Sequence, residues 1–360
     1  MAIPLSPLTA RHSVAIIGAG LSGLACGEAL ASSGATISLF DKARGPGGRM
    51  SSKRRPNATL DLGAQAFSIR NADFQRAVDR WLAAGCVAPW PTRTYQASSS
   101  GWQAHNDGQM RYTGAPRMSA VTRYLAETLD ALPNTTLTCA TPIASLKRIP
   151  TGWQLVDANS TTHGPFDYVV ISAPPPQAQA LLAPWDAELA AACQARKQRA
   201  CWAGWAIFEQ PLPPIPGVAH DWQMARVTHP ALRLVSRNHT KPGRENQPES
   251  ISLLAQLDWS EAQLEQSPEL VAEQLLTALK SILPASVQLP ALIESGAHRW
   301  RYAQSAASCE TASLYSQELC SQEGLALCGD GFGDGFGGSR VEGAWLSGHR
   351  LGEKLVGGSA

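Results

Sequence analysis

Two glycine-rich segments carry the first recognisable chemistry in this sequence. Gly18-Ala-Gly20-Leu21-Ser22-Gly23 follows the Gly-x-Gly-x-x-Gly pattern. Gly18 permits a tight turn, Gly20 lets the backbone approach a pyrophosphate, and Gly23 lets a helix pack closely on a sheet. The unpaired N–H groups and positive end of a helix opening at Leu21 would then face phosphate oxygens. Asp41, eighteen residues past Gly23, stands where an acid accepts hydrogen bonds from an adenosine ribose. This unit reads an ADP moiety and does not by itself separate FAD from NAD. A second segment, Arg44-Gly-Pro-Gly-Gly48-Arg49-Met50, follows directly. Its glycines admit a bulky ligand, and Arg44 and Arg49 could meet phosphate oxygens as forks. The alternative for these arginines is a solvated basic loop.

The elements needed to hold these groups are legible around them. Residues 13–17 form a short apolar run, as in a strand buried on both faces, and 21–32 read as an Ala- and Leu-rich helix. Residues 36–40 form a second apolar run ending at Asp41, which completes a βαβ unit. Met118, Val121, Leu125 and Leu129 share one face of a later helix. Ser267, Pro268 and Glu269 supply a cap, a first-turn proline and a first-turn acid for another helix through Val271, Leu275, Leu279 and Ile282. Alternating runs at 137–140, 153–156 and 166–171 predict an antiparallel meander. Near the end, the apolar run 325–328 leads into Gly329-Asp330, a glycine-dense stretch to Gly338, and a final helix, mirroring the first glycine turn.

The second segment resembles the signature of flavin amine-oxidase-type proteins, in which such a loop wraps the FAD pyrophosphate. Asp61-Leu-Gly63-Ala64-Gln65 is similar to the strand that passes along their flavin ring. More narrowly, the chain resembles the renalase family, closest to its bacterial members. The segments that carry this are 40–53, 61–65, Pro116-Arg-Met-Ser119 and Ala173-Pro174. Arg237-Asn238-His239-Thr-Lys241-Pro-Gly243, Trp259-Ser260, His298-Arg-Trp300-Arg301-Tyr302, Gly329-Asp330 and 339–348 continue it. The resemblance implies a two-lobed α/β glutathione-reductase-like fold with non-covalent FAD. Its discontinuous FAD lobe would be residues 1–75, 135–180 and 290–360, and its mixed-sheet substrate lobe 76–134 and 181–289. Cofactor contacts would come from Gly18, Gly20, Leu21, Ser22, Gly23, Asp41, Lys42, Arg44, Gly48, Arg49, Met50, Gly63, Ala64, Gln65, Ile143, Gly329, Asp330, Arg340, Val341 and Glu342. The last helix would point its positive end at the flavin pyrimidine.

The implied reaction is oxidation of 2- and 6-dihydro isomers of NAD(P)H to NAD(P)+, with O2 taken to hydrogen peroxide. Because that reaction is mostly positioning, the expected site groups are Gln65, Asn238, His239, Trp300, Arg301 and Tyr302. Gln65 is equally readable as a core amide tying backbone, Asn238 and His239 as facing or missing the pocket, and Trp300 as core packing. Phe332 or Phe336 could cover the flavin. An amine oxidase is the first rival, although none of the seven lysines falls in the Trp300 segment and only Lys241 could reach a pocket. A non-catalytic FAD protein and a nicotinamide dehydrogenase are the others.

Bulk properties bound these readings. With 360 residues, the chain suits two or three domains, and 30 Lys and Arg against 29 Asp and Glu give no basic surplus for nucleic acid. No apolar stretch is long enough to span a bilayer, and residues 1–11 lack the order of a secretory signal. The eight cysteines are scattered without CxxC pairs or Cys/His clusters, which predicts reduced thiols, no metal site and a cytoplasmic protein.

Overall fold

The computed structural model describes residues 7–90, 93–306, 319–321, 323–332 and 341–357. The first lobe is built on a five-stranded parallel sheet. Its spatial order is Leu325–Leu327, Tyr168–Ile171, Ser13–Ile17, Thr36–Phe40 and Thr135–Thr138. One face carries helices Leu21–Ala31, Ala72–Ala83, Ala120–Asp130 and Val341–Val356, whose apolar stripes close over Val14, Ile16, Ile37 and Leu39. The other face is covered by a three-stranded antiparallel sheet of Ile143–Ile149, Gly152–Asp157 and Thr162–Phe166, together with helices Pro175–Leu182 and Ala187–Gln194. Covering on both faces explains why these strands are continuous apolar runs rather than alternating ones.

The second lobe is a seven-stranded mixed sheet. Its order is Leu292–Ser305, Gln198–Phe208, Ser250–Ala255, Leu232–Arg237, Met224–Val227, Thr94–Ser98 and Gly101–His105. All neighbours are antiparallel except Met224–Val227 beside Thr94–Ser98. Helix Pro268–Ser281 buries Val271, Leu275, Leu276 and Leu279 against it, and the Ser267 hydroxyl caps this helix by accepting from the Leu270 N–H. The capping signal in the sequence is therefore used as read.

Two expectations are corrected. The predicted meander divides: Thr135–Thr138 and Tyr168–Ile171 enter the parallel sheet, and only the strands between them form the antiparallel one. Alternation marks a strand without naming its partner. The lobe boundaries also differ. Residues 76–83 of helix Ala72–Ala83 and helix Ala120–Asp130, expected in the substrate lobe, pack in the first-lobe core through Trp81, Val121 and Leu125. Strand Leu292–Ser305, expected in the FAD lobe, pairs along Gln198–Phe208.

The first and last helices lie close enough to exclude a methyl group between them. A Cβ on Gly348 would stand 1.9 Å from the Ser22 carbonyl oxygen, and one on Gly352 would be 2.6 Å from the Ala29 Cβ. Backbone-to-backbone contact of this kind has no flexible partner to yield. Gly348→Ala is expected to destabilise the apoprotein by about 1–3 kcal/mol or more. Gly343→Ala, whose Cβ meets nothing within 4 Å in the same helix, should be neutral or gain about 0.5–1 kcal/mol from helix propensity. Urea unfolding followed by circular dichroism checks both.

Candidate active site

Between the lobes lies a cavity of about 1270 Å³. One end is the turn from Ser13–Ile17 into the first helix, lined by Gly18, Gly20, Leu21 and Ser22, with Asp41, Lys42 and Ile143 beside them. Gly48, Arg49, Met50, Gly63, Ala64 and Gln65 line its middle, opposite Gly329, Asp330, Val341 and Glu342. The far end is a wall of the seven-stranded sheet, including Arg226, Arg233, Leu254 and residues 298–304.

The two glycine segments are tied together by carboxylates. Asp41 accepts the Ala19 N–H through Oδ2 and the Ala43 N–H through Oδ1, each at 2.7 Å. Each oxygen retains acceptor capacity toward a ribose. The Arg49 guanidinium is not a free phosphate fork: it grips Asp330 bidentately at 2.7 and 2.6 Å and reaches the Ala303 carbonyl at 3.3 Å. Arg44 is exposed and outside the cavity lining, which corrects its expected phosphate role. Gly23 acts behind the site, where a Cβ would stand 2.0 Å from the Gly18 carbonyl oxygen. Glu342 turns away from the cavity and accepts the Arg70 and Asn71 N–H groups at 2.7 and 2.8 Å. Arg340 and Phe336 lie outside the described residues. Phe332 is buried in the core under helix Pro175–Leu182 and does not line the cavity, contrary to expectation.

Behind the cavity's middle is a fully buried charge cluster. Asp61 Oδ2 receives the Lys241 ammonium at 2.8 Å and the Arg244 guanidinium at 2.7 Å, all three side chains having no solvent exposure. Its Oδ1 accepts Ser52 Oγ at 2.6 Å and the Met118 N–H at 3.2 Å. Burial alone would raise the Asp61 carboxyl, but the two cations outweigh it and hold the group at about 2. Burial lowers Lys241 to about 8, with the Asp61 attraction offsetting only part of that cost.

This cluster decides the fate of two expected site groups. Asn238 is wholly buried, accepts the Asp61 N–H at 3.1 Å, and donates to Ser252 Oγ at 2.9 Å. It braces the strand and does not face the cavity. His239 lies 3.0 Å from Glu249, itself paired with Arg237, and is likewise absent from the lining. Gln65 does line the cavity, but its amide nitrogen donates to the Asp61 and Gly63 carbonyls and its oxygen accepts from Lys241 at 3.4 Å. The reading of Gln65 as an amide tying backbone is therefore the one its hydrogen bonds show.

Trp300, Arg301 and Tyr302 all line the far end. Trp300 Nε1 donates to the Leu62 carbonyl at 2.9 Å, and His298 meets its ring edge-on at 4.3 Å. Sequence reasoning missed a stronger feature there. Arg111, Arg226 and Arg233 line this end, whereas Arg299 and Arg301 send their guanidinium groups to Glu265 outside the lining, and the acids of the lining (Asp41, Asp330 and Glu342) belong to the other parts of the cavity. Arg111, Arg226 and Arg233 come from separate strands and loops, so no local pattern announces the set.

The residues fit FAD. A Cβ on Gly20 would project into open space with nothing within 4 Å, and the first helix has no side-chain cap, leaving its N-terminal N–H groups to an anion. Asp41 stands at the ribose position, and helix Val341–Val356 begins at the lining through Val341 and Glu342.

Asp41→Ala should weaken FAD binding by about tenfold or more, since both the loop tie and a ribose acceptor go; fluorescence titration of apoprotein measures this. A second expectation concerns pH. Asp61 and Glu249 are both held at about 2, Glu249 against its burial by His239 and Arg237. Their stabilisation is present above the unfolded carboxyl range near 4 and is lost as pH falls toward 2. Each contributes on the order of 2–3 kcal/mol at neutral pH. Urea unfolding between pH 5 and 2.5 should show this loss, with a shallower slope in Glu249→Gln.

Comparison with known proteins gives the same architecture. The profile of the NAD(P)-binding Rossmann-like domain matches residues 16–81. A putrescine oxidase variant superposes with a TM-score of 0.72 at 14% identity, over 96% of this chain and 99% of that one. A protein provisionally assigned as a protoporphyrinogen oxidase, from Exiguobacterium sp. 255-15, does so at 0.76 and 13%, over 97% and 99%. At these identities the likeness is one of fold. Hydroxyneurosporene desaturase of Rubrivivax gelatinosus is 39% identical over 59 residues, 16% of this chain and only 11% of that protein's length. Among the described residues no helix is long and apolar enough to cross a membrane. The profile described as flavin containing amine oxidoreductase matches residues 81–352, most of the chain, and the protein belongs to that family of FAD-dependent oxidoreductases.

Proposed function

We propose that this protein oxidises misformed dihydronicotinamides, the 2- and 6-dihydro isomers of NAD(P)H, as its resemblance to the renalase family implies. The observation that carries this reading is the basic far end of the cavity, where Arg111, Arg226 and Arg233 are among the lining residues and Arg233 has no carboxylate within ion-pair distance among the described residues. A substrate bearing a diphosphate suits such a wall, because guanidinium and phosphate match in charge and in fork geometry. A protonated amine or diamine would meet repulsion from Arg233, the one of these without a carboxylate partner among the described residues.

Bound non-covalently by the two glycine segments and Asp41, FAD would supply two-electron acceptor chemistry for hydride, with O2 as the final acceptor and hydrogen peroxide as the product. The chain's own residues have a positioning task. Trp300, fixed by its bond to the Leu62 carbonyl and by the edge of His298, gives the substrate ring a rigid wall. Gln65 and the Asp61 cluster keep the strand opposite from shifting. A dihydropyridine gains aromaticity on losing hydride, so no side chain need remove a proton from carbon. The gain must come from holding the donor ring in contact with the acceptor.

Amine oxidation remains the second reading, favoured by the family match over residues 81–352. Anaerobic mixing separates the two. 6-DihydroNAD should bleach the flavin absorbance in a single turnover and give NAD+, and peroxide should appear once air is admitted. Putrescine and other amines should leave the flavin oxidised. Bleaching by an amine with none by either dihydronicotinamide isomer would reverse the assignment.

A further inference from the structure

The arginines at the far end of the cavity are not equivalent. Arg111 contacts Asp107, and Arg226 lies 3.7 Å from the same carboxylate. Arg299 and Arg301 share Glu265 at 2.9 and 2.8 Å. For Arg233, no carboxylate lies within ion-pair distance among the described residues. Its side chain leaves strand Leu232–Arg237 and reaches residues of Gln198–Phe208 and Leu292–Ser305, two and three strands away in the sheet. There it makes two long contacts, 3.5 Å to Gln304 Oε1 and 3.7 Å to Cys201 Sγ. Its Nε is buried without any hydrogen-bond partner.

A guanidinium carries five N–H donors and a permanent charge. Holding one half-buried against a leucine and a thiol, with its donors mostly unspent, is unfavourable unless an anion completes it. The residues around Arg233 that line the cavity supply none, so the completing group must enter with a ligand. Trp300, the proposed ring wall, belongs to the same apolar cluster as Leu254 and Leu234. The anion therefore docks beside the reacting ring and not at a distant mouth.

We propose that Arg233 is a specificity-determining residue that receives the substrate's anionic group nearest the reacting ring. On the dihydronicotinamide reading, on which this inference rests for its choice of anion, that group is a phosphate of the diphosphate. A bidentate guanidinium–phosphate pair would use the donors left idle and would fix how far the ring can enter.

The test uses the FAD-loaded enzyme and its Arg233→Met and Arg233→Lys variants. Calorimetric titration with inorganic pyrophosphate should give a dissociation constant raised about 10- to 100-fold in Arg233→Met, the range set by a lost charge-assisted bond. Arg233→Lys should fall between, retaining charge without the fork. The KM for 6-dihydroNAD should rise by a similar factor while kcat changes less than about threefold, the signature of lost binding common to ground and transition states. FAD content should be unchanged. An unchanged KM in Arg233→Met, no pyrophosphate binding by the wild-type holoenzyme, or loss of FAD from the variant would overturn the proposal, the last by assigning Arg233 to the cofactor. Pyrophosphate binding that depends on Arg233, in an enzyme that no dihydronicotinamide reduces, would instead sustain the anion site and refute the substrate assignment.

Discussion

One buried carboxylate organises this molecule. Asp61 has no solvent exposure, yet its oxygens and its backbone are reached from four distant parts of the chain: Ser52, Met118, the 238–244 turn and Ser252. An ion buried this deeply is tolerable only when every lone pair is used and opposite charge is in contact. Lys241 and Arg244 meet both conditions. Removing Asp61 would leave two uncompensated cations in the seam between the lobes, a loss that typically costs several kcal/mol. The cluster thus acts as a registration device. It fixes the strand that continues through Gly63, Ala64 and Gln65, and that strand is the cavity's middle wall.

Function follows from where that wall stands. On one side are the uncapped helix N-terminus and Asp41, suited to the ADP part of a cofactor. On the other is a sheet face carrying Trp300 and Arg233. The Arg49–Asp330 pair ties the second glycine segment to the turn after strand Leu325–Leu327, so early and late segments of the sequence line one cavity. The cavity is consequently assembled from segments spanning nearly the whole sequence, and its shape depends on lobe registration more than on any single loop.

The parts legible in the sequence were those encoded locally. The βαβ unit, its glycines, Asp41 and the Ser267 cap depend on residues within a few turns of one another, and the structure places them as read. What escaped was encoded by pairing across long separations. Asn238 and Lys241 stood out as a motif, but their partner Asp61 lies 177 and 180 positions away, so a structural brace was indistinguishable from a pocket residue. Arg49 read as a phosphate ligand because Asp330, 281 residues on, could not be seen facing it. Arg226 and Arg233 each sit singly on a strand, where alternation gives a face but not the sheet it will join.

A crystal structure of the dithionite-reduced enzyme soaked with NAD+ tests the account most directly. It should place the nicotinamide ring in van der Waals contact with the flavin, beside Trp300, and the diphosphate against the arginine face. A coenzyme lying outside the cavity, or one whose diphosphate turns away from those arginines, would contradict it.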